Sequence, residues 1–413
     1  MNLVSSHPDP SAQAVPSPQA ARRHLWALTM AHAVTHMQSS VLPMIYPLLM
    51  RGMGFGYVEL GAMLSITRLI GGLLQGIWGP IARYIPLKYL IGFENFGISA
   101  SMGWVSGVHS LPELTSAVTF GQVVASPQHP LASSALSRWF GARRGTALSV
   151  HFAGGNIGTV ISPLLATALL ARVGWQHTLQ VLMIPGLLVG FWVLWQLPAE
   201  TEKRASRSEH ARASGRAFGV LLRDRRVLRL LATASVTAGG KGLGILNTFV
   251  PLLLIRGLHL PTVTAGLLFS LFTATSVIGP TLAGRLSDRY DRPRFLSILL
   301  VLSALTSLAT ALLYHHATWV LMGVILLMGL VVYAYSPIEQ AILGDVTDQT
   351  LSHEAYSLFY SVTFATSALW PLILSLVLNR WGYPALFATT ALSYAVGAWV
   401  YGTRDWGTQA KTA

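Results

Sequence analysis

Apolar stretches of about twenty residues recur along the whole of this 413-residue chain, and no other feature limits its folding as strongly. A helix crosses a bilayer core about 30 Å thick with about twenty consecutive apolar residues. The pattern predicts helices 1 to 12 near 25–50, 58–80, 89–109, 114–137, 146–171, 177–197, 229–255, 262–284, 295–314, 318–342, 355–378 and 384–402. Charged residues make up only 10% of the chain and hydrophobic ones 52%, against about 25% charged in a soluble domain. Such a chain lacks the charge to cover a soluble surface. It holds no cysteine, so a disulfide framework and a thiolate metal site are both excluded. The polar first residues read as a disordered cytoplasmic tail over 1–24 rather than a cleaved leader.

The net charge of +13 suits nucleic acid or an anionic surface, so its location decides between them. With the N-terminus inside, the predicted helices place 22 Lys and Arg residues on the cytoplasmic side and only four outside: Arg51, Arg172, Arg256 and Arg380. That asymmetry is the positive-inside pattern of a multi-pass membrane protein. It accounts for the basic balance with lipid as the partner and no nucleic acid. The expected location is a bacterial-type inner (plasma) membrane, with both termini cytoplasmic.

The widest polar gap divides the helices six and six. The expected units are an N-terminal bundle over 25–197, a central loop over 198–228, a C-terminal bundle over 229–402 and a tail over 403–413. The two halves repeat each other. Pro47-Leu48-Leu49 matches Pro251-Leu252-Leu253, and Gly61 and Gly79 match Gly266 and Gly284 at an offset of 205. Ser126-Pro127 matches Ser336-Pro337, while Pro163, Arg172 and Gly174 pair with Pro371, Arg380 and Gly382.

After helix 8 comes Gly284-Arg285-Leu286-Ser287-Asp288-Arg289-Tyr290-Asp291-Arg292. This run resembles the G-x-x-x-D-R loop motif of the major facilitator superfamily, and the parallel six-plus-six repeat resembles its architecture. The first-half copy keeps Gly79 but has Arg83 in place of the motif's Asp. His129-Pro130 and Gly154-Gly155-Asn156 resemble the fosmidomycin-resistance branch. The resemblance implies an all-α membrane protein of twelve helices in two pseudo-symmetric bundles, working by alternating access. Helices 1, 4, 7 and 10 would line a midplane site. Gly284, Asp288, Arg289 and Arg292 would form the gating loop, with no symmetric lock in the first half. No enzymatic activity and no cofactor are expected, and the functional unit is expected to be a monomer.

An ionised side chain at the bilayer centre costs at least about 2.5–3.5 kcal/mol, so it faces protein or water and marks function. Arg68 lies on a small, polar stripe of helix 2 with Gly61, Ser65, Gly72 and Gln75. Lys241 lies on a similar stripe of helix 7 with Ala234, Thr237, Gly244 and Thr248. Two cations converging from the two halves suit an anion, Arg offering a planar fork and Lys a point charge. The bland alternative pairs each with a buried Glu. Glu339 in helix 10 either carries a coupling proton or neutralises Lys241. Glu94 in helix 3 reads as a bridge to the basic 2–3 loop.

His32 and His36 in helix 1, His129 in helix 4 and His151 in helix 5 all sit on polar or small faces. They are cavity-lining candidates, with His32 and His129 also as proton carriers. Asn156 and Asn247 are candidates for orienting a substrate or for helix packing. Prolines within the apolar spans, Pro43, Pro127, Pro130, Pro337 and Pro371 among them, predict bends around a cavity.

The leading expectation is therefore a secondary transporter of a small organic anion, a carboxylate or organophosphate, by proton coupling or exchange. A proton-driven drug or fosmidomycin-like efflux pump is the alternative, and fosmidomycin is itself a phosphonate. A transition-metal carrier is a lesser alternative resting on Met30, His32, His36 and Met37. Because helix 7 offers no matching Met or His, no metal site is expected.

Overall fold

Proline and glycine decide where the helices of this chain bend and stop. The computed structural model describes residues 16–82, 84–140, 143–199, 218–287, 289–316, 318–347, 351–403 and 406, and they are helical almost throughout. Helix 1 runs over Pro18–Ser39 and resumes as Leu42–Met53, breaking just ahead of Pro43. Helix 4 runs over Leu111–Ala125 and Gln128–Phe140, interrupted at Pro127, and helix 10 over Thr318–Val332 and Tyr335–Val346, interrupted ahead of Pro337. Helix 11 breaks between Ser352–Ser367 and the stretch that starts at Trp370. Proline lacks an N–H and clashes with the carbonyl four residues back, so the break falls at or before it.

Helix 2 spans Tyr57–Leu74 and continues through a tight turn to Ile81, and helix 3 spans Leu87–Ser106. Helices 5 and 6 form one run, Arg144–Gln196, that reverses at Gly174 with φ 74°. Helix 12 follows helix 11 the same way, within Trp370–Thr403, reversing at Gly382 with φ 79°. Positive φ costs glycine nothing. The two residues paired by the repeat thus make the same hairpin in each half. Helix 7 starts at Arg225 and reaches Gly257 through several changes of pitch, helix 8 is Thr262–Ser287 and helix 9 is Arg292–Leu313.

Two expected boundaries need correction. Residues 18–24, assigned to the tail, are the opening turns of helix 1. Ser17 caps that helix by accepting from the Ala20 backbone N–H at 3.3 Å, and Pro18 occupies a first-turn position where no N–H is needed. Helix 7 likewise begins four residues before 229, because the Asp224 side chain caps it from the Arg226 N–H at 2.8 Å. The remainder of the expected tail at 1–15, most of the central loop, and 407–413 lie outside the described residues.

Seven stretches among the described residues are long and apolar enough to cross a membrane. They cover helices 2 and 5 to 12, because Thr146–Gln196 and Glu354–Thr403 each fold back on themselves. Helices 1, 3 and 4 fall short through their polar content. Large apolar side chains such as Leu188, Phe191, Trp195, Leu312, Trp319 and Leu392 stand exposed on the outside of the bundle, as a lipid-facing surface requires. Helix 5 packs along helix 1 within the first half. Across the halves, helix 2 lies on helix 11, and helix 8 lies on helix 5.

Candidate substrate site

Helix 7 carries Gly239, Gly240, Gly242 and Gly244 around Lys241, and this glycine density opens the helix. A short tight turn ends at Gly240, Lys241 takes a non-helical conformation (φ −59°, ψ 123°), and a wide turn resumes at Gly242. Such a break frees backbone groups that must find partners inside the bundle. The Tyr394 hydroxyl donates to the Gly240 carbonyl. The Arg68 guanidinium donates to the Gly244 carbonyl, which also accepts from Thr248 Oγ1 at 3.1 Å. Gly244 has φ +96°, and a Cβ there would lie 2.5 Å from Arg68 Nη1, so only glycine fits. Arg68 thus crosses from helix 2 of one half to the opened helix 7 of the other.

Lys241 and Arg68 are both half-buried and lie within electrostatic reach of each other. Lys241 Nζ sits 5.8 Å from the centroid of the Phe364 ring, a cation–π distance. Among the described residues neither cation forms a salt bridge. Glu339 also acts on Lys241 electrostatically, but its hydrogen bonds go elsewhere. It accepts from Thr237 Oγ1 at 3.1 Å and from the Tyr401 hydroxyl at 3.4 Å. Tyr335 closes the arrangement by donating to the Thr237 carbonyl at 3.0 Å. Glu339 is 3% exposed; a carboxyl so buried needs hydrogen bonds of this kind.

Asn247 accepts from the Tyr333 hydroxyl, which favours the packing alternative for this residue. Asn156 is half-buried, and among the described residues its amide makes no hydrogen bond. Tyr46, beside Arg68, and Phe364 belong to the site although the sequence reading passed them over. Aromatics are abundant on every helix face of this chain, so periodicity did not separate these two from the lipid-facing ones. Tyr333 and Tyr335 stood closer to detection, since they precede Glu339 on its own helix.

The histidines come together in the first half, between helices 1, 4 and 5. The His32 ring centroid lies 4.5 Å from that of His36, 5.0 Å from His129 and 4.3 Å from His151, which stacks on it. Helix 5 reaches this close because it presents glycine. A Cβ at Gly155 would sit 2.6 Å from the His32 ring, and one at Gly158 would run into the Ala33 carbonyl. Met30, named with the histidines in the lesser metal-carrier alternative, is 44% exposed, whereas His32 is buried.

Glu94 corrects another expectation. It is 2% exposed and bonds to helices 1 and 4 instead of the 2–3 loop. Thr35 Oγ1 donates to its Oε1 at 3.2 Å. The Gln128 amide, assigned so that both its atoms are satisfied, donates to Oε2 at 2.9 Å. Helix 3 places this carboxyl inward because small residues around it (Gly92, Ser99) let helices 1 and 6 approach.

In the loop motif, Arg292 pairs with Asp345 of helix 10 at 2.6 Å, and Arg289 is exposed. Gly284 has open space around the place of a side chain. Asp288 and Arg83 lie outside the described residues. At the opposite end of the bundle the two halves are tied together. Tyr57 and Tyr383 share a hydrogen bond of 3.0 Å, Ser65 Oγ accepts from the Leu372 N–H at 3.1 Å, and Arg256 lies over the Tyr57 ring at 5.1 Å.

Comparison with known proteins places this architecture. A family model described as Major Facilitator Superfamily matches residues 28–262 and 240–406. The fosmidomycin resistance protein of Escherichia coli K12 is 30% identical over 183 residues, 41% of this chain and 43% of that protein. An MFS-type transporter of Bacillus subtilis 168, YfnC, is 24% identical over 73% of each chain. Among solved structures, a D-xylose-proton symporter superposes with a TM-score of 0.78 at 12% identity, over 94% of this chain and 99% of that one. A bacterial homologue of the lysosomal transporter Spinster, inward-facing and unoccupied, gives 0.73 at 16% identity over 94% of each chain.

Proposed function

Because the chain belongs to the major facilitator superfamily, and is therefore a multi-pass membrane secondary transporter and not an enzyme, we propose that its substrate is a small organic anion held between Arg68 and Lys241. One observation carries this reading. Two half-buried cations from opposite halves stand within electrostatic reach of each other, and neither forms a salt bridge among the described residues, the Glu339 carboxyl near Lys241 being hydrogen-bonded elsewhere. An anion between them replaces mutual repulsion with two charge-assisted hydrogen bonds. It also draws helix 2 and the opened helix 7 together, which is the motion an alternating-access cycle requires.

Glu339 is the coupling candidate of this reading. It sits in the same half as Lys241 and is held by neutral donors, so its carboxyl is free to exchange a proton as the cycle proceeds. With the N-terminus cytoplasmic, the end tied together by Tyr57, Tyr383 and Arg256 is the outer one. His36, His129, His151 and Asn156 are the first-half binding candidates of this reading, and His32 and His129 its further proton carriers. Gly284, Arg289 and Arg292 belong to the cytoplasmic gate.

The efflux reading is favoured by the likeness to the fosmidomycin resistance protein, 30% identical over 183 residues. It overlaps with the first in chemistry, since fosmidomycin carries a phosphonate, and differs in direction and breadth. Counterflow in proteoliposomes with a panel of carboxylates and organophosphates tests the anion. Exchange of at least one member of the panel is expected, and Lys241→Ala or Arg68→Ala leaving that exchange intact sinks the site. Glu339→Gln is expected to keep exchange but lose accumulation driven by a pH gradient. Unchanged accumulation in that variant removes Glu339 from the coupling step. Resistance to unrelated lipophilic cations on overexpression, without anion exchange, favours efflux instead.

A further inference from the structure

The histidine cluster of the first half has a chemistry that the anion site does not use. His32 Nδ1 lies 3.0 Å from the His151 backbone carbonyl. A carbonyl only accepts, so Nδ1 carries the proton and Nε2 is left as a bare lone pair. That Nε2 is buried and has no hydrogen-bond partner, in a residue 1% exposed. The same logic holds one turn on. The Thr159 hydroxyl donates its hydrogen to the Gly155 carbonyl at 3.2 Å. It therefore accepts from His36 Nδ1 at 3.1 Å, and His36 Nε2 is also left bare. One nitrogen each of His32, His36 and His129 lie within 4.8 Å of one another.

Two bare nitrogens beside a third imidazole call for an electrophile. A proton shared between the two bare nitrogens leaves the His129 ring aside, whereas a divalent ion takes one nitrogen from each of the three rings. The supporting contacts match those of a metal-binding histidine, whose second ring nitrogen donates to a backbone carbonyl or other acceptor and thereby fixes the tautomer. We propose that His32, His36 and His129 bind a divalent transition-metal ion of the zinc, nickel or cobalt class. The ligands would be three neutral imidazoles, with a fourth position open to water or an anion. Nitrogens bound tetrahedrally at 2.0–2.1 Å stand about 3.3 Å apart, so the rings close by up to about 1.5 Å on the ion. His36 and His129 are half-buried and have room to turn. Three imidazoles are a borderline donor set, which suits these ions better than the thioether and thiolate sets that copper(I) prefers. The site lies wholly in the first half, and its test does not depend on the anion reading.

Tag-free full-length protein in detergent is titrated with Co2+ and followed by visible absorption, which reports nitrogen coordination through ligand-field bands. One ion per chain is expected, displaced by Zn2+. Thr159→Val removes only the support under His36 and is expected to weaken binding about 10- to 100-fold. His36→Ala and His129→Ala weaken it further. The exposed pair His315 and His316 is the control, and its double replacement by alanine leaves the bands unchanged. No bands from wild-type protein with intact helical circular dichroism overturns the proposal. So do bands that survive both His36→Ala and His129→Ala, or that vanish with the control pair.

Discussion

The two halves of this chain place unlike chemistry at equivalent positions. At the 205-residue offset of Gly61 and Gly266, His36 corresponds to Lys241 and His32 to Thr237. At the 210-residue offset of Ser126 and Ser336, His129 corresponds to Glu339. In the second half these positions hold a lysine and a carboxyl caged by Thr237 and Tyr401. In the first they hold neutral rings with bare nitrogens. Arg68 has no counterpart, since Thr273 stands at its related position. The first half contributes to the anion site from helix 2, and the second from helix 7. A shared backbone has thus been given two different polar interiors: the second half satisfies its buried carboxyl with protein donors, whereas the first leaves ring nitrogens without a partner.

The packing beneath these interiors differs as well, and the largest effect is expected there. In the first half, Gly158 lets helix 5 lie directly on the Ala33 backbone of helix 1. Thr366, its counterpart at the offset of Pro163 and Pro371, instead bridges helix 11 to helix 7 by a 2.9 Å hydrogen bond to Ser235. Overpacking of a rigid contact costs about 1–3 kcal/mol, occasionally more, and backbone cannot turn aside as a side chain can. Gly158→Ala is therefore expected at or above the top of that range. Thr366→Ala, which removes one hydrogen bond, costs about 0.5–1.5 kcal/mol. Apparent melting temperatures of the two purified variants check this. Equal shifts would mean that the halves are held together in the same way after all.

A second contrast concerns function. Hydrogen bonds to charged groups contribute about 1.5–3 kcal/mol, so Lys241→Ala is expected to weaken anion binding about 10- to 150-fold. His36→Ala, at the equivalent position of the other half, weakens it by a smaller factor. Binding is read as the half-saturation of counterflow. An equal loss from both would place the anion symmetrically between the halves and remove the distinction drawn here. Arg68→Lys sharpens the same point, because it keeps the charge and loses the fork that reaches Gly244. Its loss is expected to fall between the other two.

The twelve helices and the six-plus-six division were legible because each depends on a local rule, apolar length or charge asymmetry, and Gly174 and Gly382 stood out as a matched pair of the repeat. Arg68 and Lys241 were legible because a charge among apolar residues is expensive and therefore conspicuous. Their surroundings were not. That helix 7 opens at Lys241, that Arg68 reaches its Gly244 carbonyl, and that Glu94 turns toward Thr35 and Gln128 depend on which helices lie side by side. The histidines show this most clearly. Each was noticed as a polar-face residue, and only His32 and His36 share a helix. Their convergence with His129 and His151 needed the close approach of helix 5, which no spacing within one helix reveals.

The smallest expected difference lies at the entrance to each half. Helix 1 is capped by the Ser17 hydroxyl and helix 7 by the Asp224 carboxylate. Either cap is worth about 1 kcal/mol when replaced by alanine, but only one of them titrates. The Arg226 side chain, bonded to Asp224 at 2.9 Å, holds that carboxyl below its ordinary value of 3.8. A carboxyl whose folded value is depressed adds stability above the unfolded value, and loses it as pH falls through the folded one. The cost of Asp224→Ala is therefore expected to be full at neutral pH and to fade below about pH 4, whereas the cost of Ser17→Ala stays level. Melting temperatures of both variants between pH 7 and the acid limit of folding make the comparison. A penalty for Asp224→Ala that persists unchanged at the acid end would mean that its charge adds nothing to the cap.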